Sequence, residues 1–152
     1  MLRSFDVVVI GAGPAGYIAA IRAAQLGHAT ACIEKWKTPD GQFALGGTCL
    51  NVGCIPSKAL LESSENFERA QHKLKAHGVI VSGVAFDLKR MLERKDQIVR
   101  KMTGGIAGLF RKNKITWLQG HGRFVSGGTT WKLEVDGDQG IEPIEASHVI
   151  IA

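Results

Sequence analysis

The chain has 152 residues, 45% of them hydrophobic and 22% charged, with four prolines; this suits one domain with a real core and argues against disorder. No apolar run reaches the roughly 18–20 residues that cross a bilayer, and a strand starting at Phe5 leaves no room for a leader ahead of it, so a soluble intracellular protein is expected. The net charge is +5, but nine Lys/Arg against three Asp/Glu fall between Asp87 and Lys114; a solvated helix face accounts for this, or a docking surface for an acidic partner. With one aromatic, Phe110, and no recognition motif in that stretch, nucleic acid is not expected as a partner.

Phe5 to Ile10 is a β-branched apolar run that predicts a strand buried on both faces. Gly11 to Gly16 follows, then an Ala-rich helix to about Leu26, stopped by Gly27. Ala29 to Glu34 predicts a second strand, with Cys32 in its core. Lys35 to Leu45 is a polar loop with a Pro39-Asp40-Gly41 turn. Pro56 is placed to begin a helix reaching about Ala76, with Gly78 ending it. Asp87 to Asn113 is the longest predicted helix, with an apolar stripe from Leu88 to Leu109 that reads as core or subunit interface. Gly104-Gly105 within it predicts a kink or a close backbone approach. Ile115–Leu118, Gly122–Val125, Trp131–Val135 and His148–Ile151 predict strands, with hairpin turns at Gly127-Gly128 and Asp136-Gly137.

Gly11-Ala12-Gly13-Pro14-Ala15-Gly16 fits G-x-G-x-x-G, with a buried strand before it, a helix after it, and an acid about 20 residues on, Glu34. Gly11 permits a tight turn, Gly13 lets the backbone approach a pyrophosphate, and Gly16 lets the helix pack on the strand. The helix start offers unpaired N–H groups and partial positive charge to phosphates. Glu34 would accept ribose hydroxyls and repel a 2′-phosphate, which disfavours NADP here. The alternative is a tight turn without ligand.

Cys49 and Cys54 lie in Gly46-Gly47-Thr48-Cys49-Leu50-Asn51-Val52-Gly53-Cys54-Ile55-Pro56-Ser57-Lys58. In a regular helix an i,i+5 pair has Cα atoms about 8.6 Å apart, too far for a disulfide. If the two pair, the backbone between them departs from helix, and Gly53 can supply the departure. Cys54, just before a helix start, would favour thiolate. A zinc site would need two more ligands; the histidines (28, 72, 77, 121 and 148) form no clear second pair, so no metal is expected. Two inert core cysteines are the other alternative. Lys58, one turn beyond Cys54, faces a flavin or is an exposed helical lysine.

This segment resembles the active-site signature of the pyridine nucleotide–disulfide oxidoreductases. Ala59-Leu60-Leu61, the early glycine motif and Gly120-His121-Gly122-Arg123-Phe124 occur in the order that family uses. Within the family, Ile55 to Leu61 is most similar to the dihydrolipoamide dehydrogenases; mercuric reductases, glutathione reductases and a non-catalytic FAD-binding module are the alternatives. The resemblance implies an α/β, Rossmann-like FAD-binding domain with a parallel sheet, helices and a β-meander. On that reading residues 1–152 are its first part, incomplete at the C-terminal end, with the NAD and interface domains outside this chain.

The resemblance also implies roles. Cys49 would be the interchange thiol, Cys54 the flavin-facing thiolate bonded to it in the oxidised state, and Lys58 the neighbour of the flavin. FAD would be held by Gly11, Gly13, Pro14, Ala15 and Gly16, by Glu34 and Lys35, by Gly47 and Thr48, and by His121, Gly122 and Ala152. Electrons would pass from dihydrolipoamide through the Cys49–Cys54 pair and FAD to NAD, whose site and acid/base residue lie outside this chain, so the isolated chain is expected to be inactive. The implied partners are a second subunit in a homodimer, and the lipoyl domains and core subunits of 2-oxo acid dehydrogenase complexes. The implied location is the bacterial cytoplasm, or the mitochondrial matrix of a eukaryote.

Overall fold

A computed structural model describes residues 2–152. Four parallel strands form its centre: β1 (Arg3–Ile10), β2 (Thr30–Glu34), β3 (Thr116–Gln119) and the second half of β6 (Gly140–Ile151). β4 (His121–Ser126), β5 (Trp131–Gly137) and β6 make an antiparallel meander. The sheet order is β3-β2-β1-β6-β5-β4. β6 joins the two parts: its residues Gly140 to Ala146 pair with β5, while Ile144 to Ile151 pair with Arg3 to Ile10 of β1.

A separate core lies on each face of the parallel strands. On one, Val8, Ala31, Ile33 and Leu118 meet Leu133, Val135, Ile144 and Ala146 of the meander. On the other, Val7, Val9 and Cys32 meet α1 (Pro14–Gln25), Leu45, Leu50, and Ile106 and Phe110 of α4 (Leu88–Lys112). The alternation of β1 explains the split, since successive side chains point to opposite faces. Helix α1 turns Gly16, Ala20 and Ala23 inward, a face of small residues that lets its backbone approach the strands.

Several boundaries differ from expectation. Strand β6 begins at Gly140, eight residues before the predicted start. Pro143 discourages a strand reading, yet it lies before the first pairing with β1 (Arg3 with Ile144), where β6 has a neighbour on one side only. The β5–β6 turn is Asp138-Gln139, not Asp136-Gly137. Gly137 is a strand residue at a close approach, since a Cβ there would lie 2.4 Å from the Gln119 carbonyl oxygen. Pro56 is not the first residue of its helix; α3 (Cys54–Glu68) starts two residues earlier. Beyond Glu68 it loses α geometry, passing through a π turn (Arg69–Lys73) and a 3₁₀ turn (Leu74–His77) to Gly78.

Helix α4 is capped by Asp87, whose carboxylate accepts from the Arg90 N–H at 3.0 Å. It runs uninterrupted through Gly104-Gly105, and a Cβ at either would meet nothing within 4 Å, so neither marks a close approach. Of the apolar stripe only Ile106 is buried, joined in the core by Phe110 outside it, while Leu88 and Leu109 at its two ends are 57% and 44% exposed.

Leu133 is 1% exposed and is held between the meander and the parallel strands. Leu133→Ala should therefore lower stability by about 2–5 kcal/mol, read from chemical denaturation. The same change at exposed Leu88 should stay within about 0.5 kcal/mol.

Candidate functional site

The dinucleotide loop leaves the end of β1 and is fixed by backbone bonds. Gly11 donates to the Ile33 carbonyl at 2.8 Å, and Ala152 donates to the Ile10 carbonyl at 2.9 Å. The glycines are sterically required. A Cβ on Gly11 would lie 2.3 Å from the Ala152 carbonyl oxygen, and one on Gly16 would lie 1.8 Å from that of Gly11. Gly13 differs, because a Cβ there would meet nothing within 4 Å. The space in front of Gly13 is therefore open at the start of α1. There Pro14 occupies the first helical position, and the following N–H groups have no helical acceptor.

Glu34 is buried, 7% exposed, at the end of β2. Its Oε2 accepts from the Ala12 N–H at 2.8 Å, and its Oε1 accepts from the Trp36 N–H at 2.8 Å. The carboxylate is thus held in place by the loop and keeps lone pairs for further donors. It borders a cavity of about 190 Å³ lined by Gly11, Lys35, His121, Gly122 and Ala152 as well. Gly122 rests against Ile33; a Cβ would come within 2.9 Å of that side chain. A wider depression of about 630 Å³ lies beside β3, Phe43 and the β5–β6 hairpin. None of the sequence-predicted site residues lines it.

The cysteine segment docks onto this loop. Gly46 donates to the Ala12 carbonyl at 2.8 Å, and a Cβ on Gly47 would lie 2.8 Å from the Gly13 Cα. Gly47 has φ of +57°, which glycine adopts without penalty. It opens a short helix, α2 (Gly47–Asn51), that carries Thr48 and Cys49. Val52 and Gly53 interrupt the helix and turn the chain back, so the backbone between the cysteines is not regular helix. A Cβ on Gly53 would come within 3.2 Å of the Cys49 Cα. Cys54 then sits in the first turn of α3, exposed, rather than ahead of the helix.

Cys49 and Cys54 are both free thiols, the first half-buried and the second exposed, and the Gly53 between them packs against the Cys49 backbone. The Cys49 thiol is raised above the usual thiol range, first by its hydrogen bond to Cys54 and then by desolvation; the Lys58 charge acts in the opposite direction. Lys58 is exposed one turn along α3. Cys32 is a different kind of thiol. It is fully buried, directed at the Gly11 carbonyl at 3.7 Å, and pushed up to about 12 by burial and then by Glu34. It belongs to the core, as expected. The described residues contain no cluster of three or more metal-ligating side chains.

Three supporting residues were not legible in the sequence. Ala12 joins Glu34 to the cysteine segment through its backbone, which no side-chain pattern signals. Arg94 of α4 donates to the Ala59 carbonyl at 3.1 Å and pairs with Glu62, bracing α3. The Asn51 side-chain amide donates to the Leu45 carbonyl at 3.1 Å and the Gly47 carbonyl at 2.8 Å. Its place inside the cysteine motif was the available signal.

Known proteins resemble this chain over nearly all of its length. The chain is 57% identical over 155 residues to dihydrolipoyl dehydrogenase of Cupriavidus necator, covering 100% of this chain and 32% of that protein. It is 52% identical to mitochondrial dihydrolipoyl dehydrogenase of Pisum sativum, covering 97% and 28%. It is 51% identical to leghemoglobin reductase of Glycine max, covering 97% and 27%. The chain therefore spans about a third or less of the length of these relatives. Its fold matches a Cu(II) complex of a mutant of the HOCl-induced flavoprotein disulfide reductase RclA from Escherichia coli. The TM-score is 0.75 at 24% identity, covering 99% of this chain and 28% of that one. Residues 5–152 match the pyridine nucleotide-disulphide oxidoreductase family, to which this chain belongs.

Proposed function

We propose that this chain is the FAD-holding, dithiol-bearing part of a dihydrolipoamide dehydrogenase, which oxidises dihydrolipoamide to lipoamide and reduces NAD to NADH. The observation that carries the reading is a pair of free thiols, Cys49 and Cys54, on a segment seated against the dinucleotide loop. The residues present fit FAD: open space at Gly13, an acid at Glu34 beside a cavity, and glycine where a side chain would fill it. The pyrophosphate would fall to the N–H groups of Gly13, Ala15 and Gly16, the ribose to Glu34, and the adenine to the Lys35, His121 and Gly122 side of the cavity. Thr48, Gly47, Ala152 and Lys58 serve the rest of the cofactor. When bound, FAD supplies the two-electron acceptor between the dithiol and NAD.

The thiol chemistry follows from the two environments. A dihydrolipoamide thiolate attacks Sγ of Cys49 in the oxidised pair. The Cys49–Cys54 bond breaks, and Cys54 leaves as a thiolate in the first turn of α3. The second lipoyl thiolate then displaces Cys49, and lipoamide departs with its ring disulfide closed. Cys49 takes up a proton and hydrogen-bonds to Cys54. As the resemblance to the family implies, the acid/base group is assigned to sequence outside these residues. We extend the reading to a homodimer that serves the lipoyl domains of 2-oxo acid dehydrogenase complexes. No helix among the described residues is long and apolar enough to cross a membrane. The bacterial cytoplasm or the mitochondrial matrix is the proposed location.

Dihydrolipoamide, oxidised glutathione and Hg(II) offered in turn to the longer polypeptide carrying this sequence, with FAD and the nicotinamide cofactor, test the assignment. Dihydrolipoamide should be turned over fastest; preference for either of the others moves the protein to another branch of the family. Cys49→Ser and Cys54→Ser should each lower turnover by about three orders of magnitude or more. The 152-residue chain alone should yield no NADH above background.

Alkylation by iodoacetamide reads the thiolate. Because Cys49 is held above the ordinary range by Cys54, its alkylation should rise with pH later than that of a free thiol. In Cys54→Ala the midpoint should move down. An unchanged midpoint would show that the two sulfurs do not interact. Cys32 should stay unmodified throughout.

A further inference from the structure

Helix α2 is too short to hold itself. It has five residues, and its first closing bond, Leu50 N–H to the Gly46 carbonyl, is 3.4 Å long; so few residues cannot repay the cost of helix nucleation. Yet it carries Cys49, whose position relative to Cys54 decides how readily the two sulfurs join. Two features anchor it: Leu50, 4% exposed in the core, and the side chain of Asn51. The Asn51 amide nitrogen spans the carbonyls of Leu45 and Gly47 at 3.1 and 2.8 Å. One lies just before the helix and the other on its first residue. The Gly47 carbonyl belongs to a residue at positive φ pressed onto Gly13. The clasp thus ties α2 to the strut that joins the cysteine segment to the dinucleotide loop. Asn51 also stands two residues after Cys49 and three before Cys54, so any slack in it passes directly to the gap between the sulfurs.

We infer that Asn51 is a positioning residue that sets the redox poise of the Cys49–Cys54 pair by clasping the Leu45 and Gly47 carbonyls. This rests on the disulfide reading above. Without the clasp, α2 samples more orientations, the effective concentration of one thiol at the other falls, and the disulfide becomes easier to reduce. The relevant equilibrium is protein disulfide plus two glutathione thiols giving protein dithiol plus oxidised glutathione, balanced in electrons and protons.

The purified protein with FAD added is equilibrated anaerobically in glutathione buffers of graded ratio and quenched with acid. Free thiols are alkylated, and dithiol and disulfide forms are counted by mass. Asn51→Ala removes the donor, and Asn51→Asp places an oxygen against both carbonyls. Each should shift the equilibrium toward dithiol about tenfold, which is about 30 mV for a two-electron couple. Asn113→Ala is the control. It deletes a bond of the same kind, Asn113 to the Leu109 carbonyl at 2.8 Å, at the far end of α4, and its equilibrium should coincide with the parent's. A shift in the Asn51 variants under about threefold, an equal shift in Asn113→Ala, or failure of both Asn51 variants to fold would overturn the inference. If the unmodified protein forms no Cys49–Cys54 disulfide in oxidising buffer, the disulfide reading fails instead.

Discussion

The backbone of one residue, Ala12, ties the site together. The N–H of Ala12 is given to the Glu34 carboxylate, and its carbonyl receives the N–H of Gly46, each at 2.8 Å. Ala12 itself is fully buried. A buried backbone group must be paired, and leaving one unpaired costs about 1–3 kcal/mol, so both bonds are obligatory once the loop is packed. Their effect is to put the acid of β2, the glycine loop of β1 and the cysteine segment in one rigid relation. A nucleotide site and a thiol site far apart in the sequence become neighbours through three atoms of main chain.

The motifs were legible because each rests on a local steric or electronic demand. Gly11 and Gly16 leave no room for a side chain, and Glu34 ends a buried strand where an acid needs a reason. The departure from helix between Cys49 and Cys54 was legible on the condition that the two pair, from the reach of a disulfide. The strand-and-helix order was legible too, because the first strand and helix α4 have clear periods. Pattern failed where a residue serves a distant neighbour. Gly137 looked like a turn but admits the Gln119 carbonyl, and Pro143 looked like a break but sits where β6 has one partner. Gly104-Gly105 looked like a contact, yet nothing approaches it.

The three cysteines show how one fold makes three thiols from one side chain. Cys32 is sealed in the core beside a buried acid and is pushed to about 12. Cys54 stands exposed in the first turn of α3. Cys49 lies between these extremes, half-buried, and is raised chiefly by its partner. Proximity to Glu34 and burial are fixed by the strand, whereas the Cys49–Cys54 relation is fixed by a five-residue helix. Cys49 therefore sits on a five-residue helix, Cys54 at the start of a 15-residue one, and Cys32 on a fully buried strand.

Strand β6 carries a consequence for how the chain assembles. It supplies the second edge of β1, and its end delivers the Ala152 carbonyl that packs against Gly11. These contacts join the first ten residues to the last nine, a separation that makes them slow to find. On a ribosome adding about 5–20 residues per second, β1 and its glycine loop are made first, yet they wait until Ile151 has emerged. Until then β1 has an uncovered edge, and the nucleotide cradle is open on one side. A nascent chain stalled before β6 would hold the complete loop and both cysteines without the wall that shapes the cavity.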